Sequence, residues 1–153
     1  METMLAPSMP RRERAANTTP SPPITASIAI AQVALDSCKR PGLRVGVAVS
    51  DSAGNLIVGI STDGALPGRI FMAARKNVAA VVFGQPSSWV QDRLRIGDQA
   101  VWSKLTSNMV VYAGAIPLKV GDKTIGAIAV SGGSQSEDEE CARAGESAFA
   151  NMR

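Results

Sequence analysis

Histidine is missing altogether from the 153 residues of this chain. Its absence removes the commonest metal ligand, the commonest general base near neutral pH and the usual axial ligand of haem. Aromatic residues make up only 4% of the sequence, with one tyrosine, Tyr112, and two tryptophans, Trp89 and Trp102. No basic run is interleaved with them, which excludes the usual footprint of a nucleic-acid binder. Cysteine occurs twice, at Cys38 and Cys141. Two thiols without histidine argue against a zinc site, and each lies on an apolar helical stripe, so the pair reads as reduced core thiols rather than a disulfide framework. No apolar run approaches the length of a membrane span. No hydrophobic segment follows Arg11-Arg12 to complete a secretory or twin-arginine signal, and the expected location is the cytoplasm, with no membrane partner.

What is present suits one domain. A hydrophobic content of 45% over this length builds a single core. Residues 1–23, rich in Pro, Ser, Thr and Arg, bury too little surface to offset their ordering entropy and are expected to form a flexible tail before a domain over 24–153. Charge is uneven: residues 24–136 carry 11 Lys/Arg against 6 Asp/Glu, and residues 137–153 carry 2 against 5. A basic body with an acidic terminal helix favours small anionic ligands or self-association.

Periodicity places the elements. Ile28, Ala31, Leu35 and Cys38 recur at helical spacing up to the break at Pro41-Gly42. Leu43, Val45, Val47 and Val49 alternate with smaller residues as a strand, and Asp51-Ser-Ala-Gly-Asn55 turns it into a second strand over Leu56–Ser61. A helix from Gly68 or Arg69 to Phe83, with Phe71, Ala74, Val78 and Val81 as its core stripe, is closed by Gly84. A short helix through Trp89 follows, and Gly97–Ser107 gives no clear pattern. Met109–Ala113, Ile116–Val120 and Thr124–Ser131 read as three more strands, and Glu137–Asn151 as the last helix, its buried stripe Cys141, Gly145, Ala148 and Met152. Short turns between neighbouring strands require antiparallel pairing, so the class is α+β, with five strands and about four helices.

The stretch Ser131-Gly-Gly-Ser134 before the acidic Ser136-Glu-Asp-Glu-Glu-Cys141 directs backbone N–H groups at one small volume, an anion-binding geometry. Its plainer alternative is a strand-to-helix turn in which Ser136 caps the helix and Glu139 completes a capping box.

Val47-Ala-Val-Ser-Asp-Ser-Ala-Gly-Asn-Leu56, Asp63-Gly-Ala65, Ala73-Ala-Arg-Lys-Asn-Val-Ala-Ala80 with Phe83-Gly84, and Gly114–Cys141, in this order, resemble the GlcG/HbpS family, a haem-binding or haem-degrading-like domain similar to the C-terminal domain of PduO-type proteins. The resemblance covers about Ile24 to Met152. It implies a profilin-like α+β fold, a five-stranded antiparallel sheet, assembly into dimers and larger rings, and haem as a cofactor of some members. This chain departs from it in lacking both the haem-ligating histidine and the Glu-x-x-Glu iron motif on the Arg69–Phe83 helix. No metal ligand set is expected here.

Lys76 matches the lysine of the family's helix motif. Arg69 lies seven positions earlier on the same face with Met72 beside them, so the two cations can hold a carboxylate, a phosphate or a haem propionate, or else line a solvated face or a subunit contact. Lys76 is also a candidate general base or Schiff-base amine if its pKa is lowered. Asp63 can transfer a proton or shape its turn, and Tyr112 can donate a phenolic proton or pack on the sheet. Trp89 can stack on a planar ligand. Ser131, Gly132, Gly133 and Ser134 form the anion cradle. Two functions follow: an oligomeric binder of a small anionic or planar organic molecule, haem included, or a cofactor-independent isomerase, tautomerase, deaminase or hydrolase using Lys76, Asp63 or Tyr112.

Overall fold

The computed structural model describes residues 15–152. Its elements are α1 (Ile24–Ser37), β1 (Gly46–Asp51), β2 (Leu56–Ser61), α2 (Gly68–Phe83), α3 (Ser87–Arg95), α4 (Gln99–Trp102), β3 (Ala115–Val120), β4 (Lys123–Ser131) and α5 (Gln135–Asn151). The strands form an antiparallel sheet in the order β2-β1-β4-β3. The α+β class stands, with four strands among the described residues instead of five and with five helices. The tail expected over residues 1–23 lies largely outside the described residues. Where that segment is described it touches the sheet: the Ser52 N–H donates to the Pro20 carbonyl, and Pro22 is buried.

Met109–Ala113 is not a strand, because its backbone groups are bound elsewhere. The Val110 N–H donates to the Arg75 carbonyl of α2, and the Ala113 N–H to Gln135 Oε1. Ser87 Oγ donates to the Tyr112 carbonyl and accepts from the Ala115 N–H. Residues with strand propensity therefore run across helices and stop where β3 begins.

The two faces of the sheet are packed differently. On one, Val45, Val47, Val49, Ile116, Leu118, Ile128 and Val130 meet Ile30, Ala31 and Ala34 of α1 and Cys141, Ala142 and Phe149 of α5. On the other, Ala48, Ala115, Ala127 and Ala129 meet Ala73 and Ala80 of α2. Alternation of Val with Ala or Gly along β1 produces both faces from one strand, and all six residues of β1 are buried. The small face lets α2 lie close to the strands. A Cβ on Gly46 would sit 2.5 Å from the Ile70 nitrogen, and one on Gly59 2.6 Å from Ile70 Cγ2.

This close seating moves the stripes expected on the helices. On α2 the buried residues are Ala73, Lys76, Asn77, Ala79 and Ala80, whereas Phe71 is exposed. Alanines, Lys76 and Asn77 face in, and Phe71 and Val82 face out. On α1 the buried set is Ser27, Ile30, Ala31 and Ala34, with Ile28 exposed and Leu35 partly buried. The stripe of α5 agrees at Cys141 and Gly145, but Phe149 rather than Met152 closes it.

Cys38 and Cys141 form a disulfide, their Cα atoms 5.7 Å apart across 103 residues. This overturns the reading of two reduced thiols. Both were correctly placed on the inner faces of their helices, but α1 and α5 lie side by side on the same sheet face, which spacing along the chain does not reveal.

Candidate functional site

The site forms where α2, the end of β4 and the start of α5 meet. The last turn of β4 is followed by Gly132, whose φ of 131° favours glycine, and by the cap of α5. Ser134, not Ser136, is the N-cap: its hydroxyl accepts from the Glu137 N–H, and Glu137 Oε1 accepts from the Ser134 N–H. The capping box is thus Ser134/Glu137, two residues earlier than the Ser136/Glu139 pair expected. This start places Asp138, one turn into the helix, beneath the loop.

Asp138 is 3% exposed and each of its carboxylate oxygens holds one donor. Oδ1 accepts from the Gly133 N–H at 2.9 Å, and Oδ2 from Lys76 Nζ at 3.0 Å. Lys76, itself 3% exposed, also donates to the Val130 carbonyl at 2.9 Å. Its amine fits because Gly114 has no side chain: a Cβ there would lie 2.7 Å from Nζ, at a φ of 136°. Burial pushes the Lys76 pKa below its usual value, the Asp138 carboxylate resists that shift, and the positive charge of Arg69 adds to it.

A pocket of about 270 Å³ opens over this pair, lined by Arg69, Met72, Lys76, Tyr112, Ser131, Gly132, Gly133, Gln135 and Asp138. Arg69 is set there by the close approach of α2 to Gly46, which is paired across the sheet with Ser131. Of the residues singled out in the sequence, Arg69, Lys76, Tyr112, Ser131, Gly132 and Gly133 are brought together here. Asp63 is not: it lines a separate cleft with Leu35, Lys39, Arg40 and Thr62. Trp89 lies outside the pocket lining, its ring 6.2 Å from Phe83 and beneath the Arg93 guanidinium at 5.8 Å. Ser134 is occupied in capping, and the Gly133 and Ser134 N–H groups expected to face a ligand are bound by Asp138 and Glu137.

Sequence reasoning missed Asp138, Gln135 and Gly114 as site residues. Asp138 was legible only as one of four first-turn acids, and the register of the cap decides which of them points inward. Among the described residues no group of three His, Cys, Asp or Glu side chains is placed to hold a metal, and no helix is long and apolar enough to cross a membrane.

Haem can be tested against these residues. Its axial ligands are drawn from His, Cys, Met and Tyr. Histidine is absent, both cysteines are joined, and Met72 and Tyr112 remain at the rim. At about 270 Å³ the pocket is smaller than the roughly 300–1,000 Å³ of sites that enclose a drug-sized ligand, so it does not enclose haem.

Comparison with known proteins adds a lineage to this geometry. Residues 24–147 match the family model described as haem degrading protein, HbpS-like. Among solved structures, a double mutant of HbpS from Streptomyces reticuli is 30% identical with a TM-score of 0.75, the match covering 94% of this chain and 96% of that one. Protein ORFY of Klebsiella pneumoniae shares 19% identity with a TM-score of 0.77, over 95% of this chain and 100% of that one. A PduOC–haem complex shares 22% identity with a TM-score of 0.73, over 84% and 94%. The last two show likeness of fold. No curated protein sequence matches the chain.

Proposed function

The chain belongs to the HbpS-like family, and on that premise we propose that it is a small-molecule-binding protein whose ligand carries an anionic group held at the Arg69–Lys76 pocket. The observation that carries this reading is a balance of charge. Lys76 and Asp138 neutralise one another, so the Arg69 guanidinium, which has no ion-pair partner among the described residues, leaves the pocket with a net positive charge. An anion entering it gains a charge-assisted hydrogen bond from a planar fork suited to carboxylate.

Relatives whose structures are described as HbpS and as a PduOC–haem complex support a ligand-binding role for the family. For this chain the small pocket and the absent histidine favour a smaller anion than haem. The enzyme alternative has less support: of its three candidate residues Asp63 lies in another cleft and the Lys76 amine is bound on two sides, which leaves Tyr112 at the pocket.

Self-association into dimers or rings, as the family resemblance implies, is supported by the exposed Phe71 and Val82 on the outer side of α2. The Cys38–Cys141 disulfide supports an oxidising compartment, which differs from the cytoplasm suggested by the sequence. The binding reading is tested by thermal shift with acetate, pyruvate, succinate and phosphate, and by haem titration. Stabilisation by an anion in the wild type and its loss in Arg69→Ala is the expected result. No shift with any anion, or an equal shift in Arg69→Ala, contradicts the reading.

A further inference from the structure

The two edges of the sheet are finished differently. At the β3 edge the Val130 N–H donates to the Gly114 carbonyl, so the alternation of an antiparallel ladder turns the backbone groups of Ala115 and Pro117 away from β4. Neither offers a free N–H: that of Ala115 donates to Ser87 Oγ, and proline has none. Lys119 adds a charge further along the same strand. These are devices that keep an edge strand from pairing with another chain.

At the β2 edge none of them is present. The Thr62 N–H donates to the Val45 carbonyl, which makes Val47–Ile60 the next bonded pair and turns the N–H and C=O groups of Gly59 and Ser61 outward. Those groups have no partner among the described residues. The strand Leu56-Ile-Val-Gly-Ile-Ser61 carries no proline and no charge, and Val58 and Ile60 are only half-buried although they pack against the main core. An unguarded row of donors and acceptors on an apolar strand is a pairing surface.

We infer that β2 is an interface strand that pairs antiparallel with β2 of a second copy of this chain, joining the two sheets. In the register that satisfies both outward residues, Gly59 of each copy faces Ser61 of the other, and each such pair exchanges its main-chain hydrogen bonds in both directions. Ile60 then meets Ile60 of the other copy across the two-fold axis, an apolar cross-strand pair. A second copy is the occupant because the edge is complementary to itself: with no charged side chain on the strand, two copies bring no like charges together. The inference rests on the self-association reading above and gives it a surface distinct from the outer side of α2.

Sedimentation of the full chain over a dilution series, with amide exchange of the assembled state followed residue by residue, tests the assignment. The expected result is an assembly in which the Gly59 and Ser61 amides exchange at least about tenfold more slowly than in the dissociated chain. Ser61→Pro deletes one outward N–H and none of the bonds to β1, so it is expected to fold, to lose this association step and to return the Gly59 amide to fast exchange. Ser61→Ala keeps the N–H and is expected to assemble as the wild type does. If Ser61→Pro does not fold, the wild-type exchange pattern decides the matter. Assembly with fast-exchanging Gly59 and Ser61 amides overturns the β2 assignment and leaves self-association standing, as does a folded Ser61→Pro that assembles as tightly as the wild type. A wild type that is monomeric at every concentration removes both readings. Protection of the two amides only when a foreign peptide is added overturns the second copy as occupant.

Discussion

Lys76 holds a charge in a place where burial opposes it, and Asp138 is the compensation. Removing one partner leaves the other charged and buried, so Lys76→Met is expected to cost about 3–5 kcal/mol in urea unfolding. The double variant Lys76→Met/Asp138→Leu should recover much of that loss, because it leaves no orphaned charge. A double variant no more stable than the single one contradicts this account of the pair. The lowered Lys76 pKa also gives stability a pH dependence. Between the lowered value and the usual 10.5, the unfolded chain binds more protons than the folded one, so this residue's contribution rises with pH across that window. Lys76→Met should flatten the rise. At this scale the sequence offered Arg69 and Lys76 through their spacing on one helical face. Asp138 was hidden, because the spacing of Glu137, Asp138, Glu139 and Glu140 permits several registers and only the Ser134 cap selects one.

Among the elements, α2 is the one whose position decides the site, and its seat is built from small residues. Ala73 and Ala80 face Ala48, Ala115, Ala127 and Ala129, and Gly46 admits the start of the helix where Arg69 stands. A methyl group at position 46 meets the Ile70 nitrogen and the Arg69 carbonyl carbon, both backbone atoms that cannot rotate away. Gly46→Ala is therefore expected to destabilise by about 1–3 kcal/mol and to weaken anion binding through displacement of Arg69. Unchanged stability and affinity would show that α2 is not fixed by this contact. The alternation along β1 was legible in the sequence, and so was the hairpin at Asp51–Asn55. The sheet-facing side of α2 was not. A stripe is normally sought among large apolar residues, and here Phe71 and Val82 point outward while alanines, a lysine and Asn77 point in. The expected strand at Met109–Ala113 was lost for a related reason: hydrogen bonds from α2 and Gln135 take the backbone groups that a fifth strand would have paired.

For the molecule as a whole, the disulfide joins the end of α1 to α5 and closes a loop of about a hundred residues around the sheet. In the chain-entropy view such a link contributes about 4–5 kcal/mol through the unfolded state. The Cys38→Ala/Cys141→Ala variant is expected to lose about 2–5 kcal/mol in denaturant unfolding, and the wild type to lose a comparable amount under a strong reductant. Stability that does not respond to either change contradicts the link. Cys141 lies one turn beyond Asp138, so the same covalent bond steadies the part of α5 that organises the pocket. Fold class and family were readable from patterns along the chain. The pocket arises from contacts between segments some sixty residues apart, Lys76 with Val130 and Asp138, which local spacing does not encode.

The most direct test of the central claim is a set of crystal structures of the full chain grown with acetate, pyruvate, succinate and phosphate in turn. The predicted result is ligand density in the Arg69–Lys76 pocket, with the anionic group against the Arg69 guanidinium. A pocket without ligand in all four, or ligand seated in the Asp63 cleft instead, would contradict it.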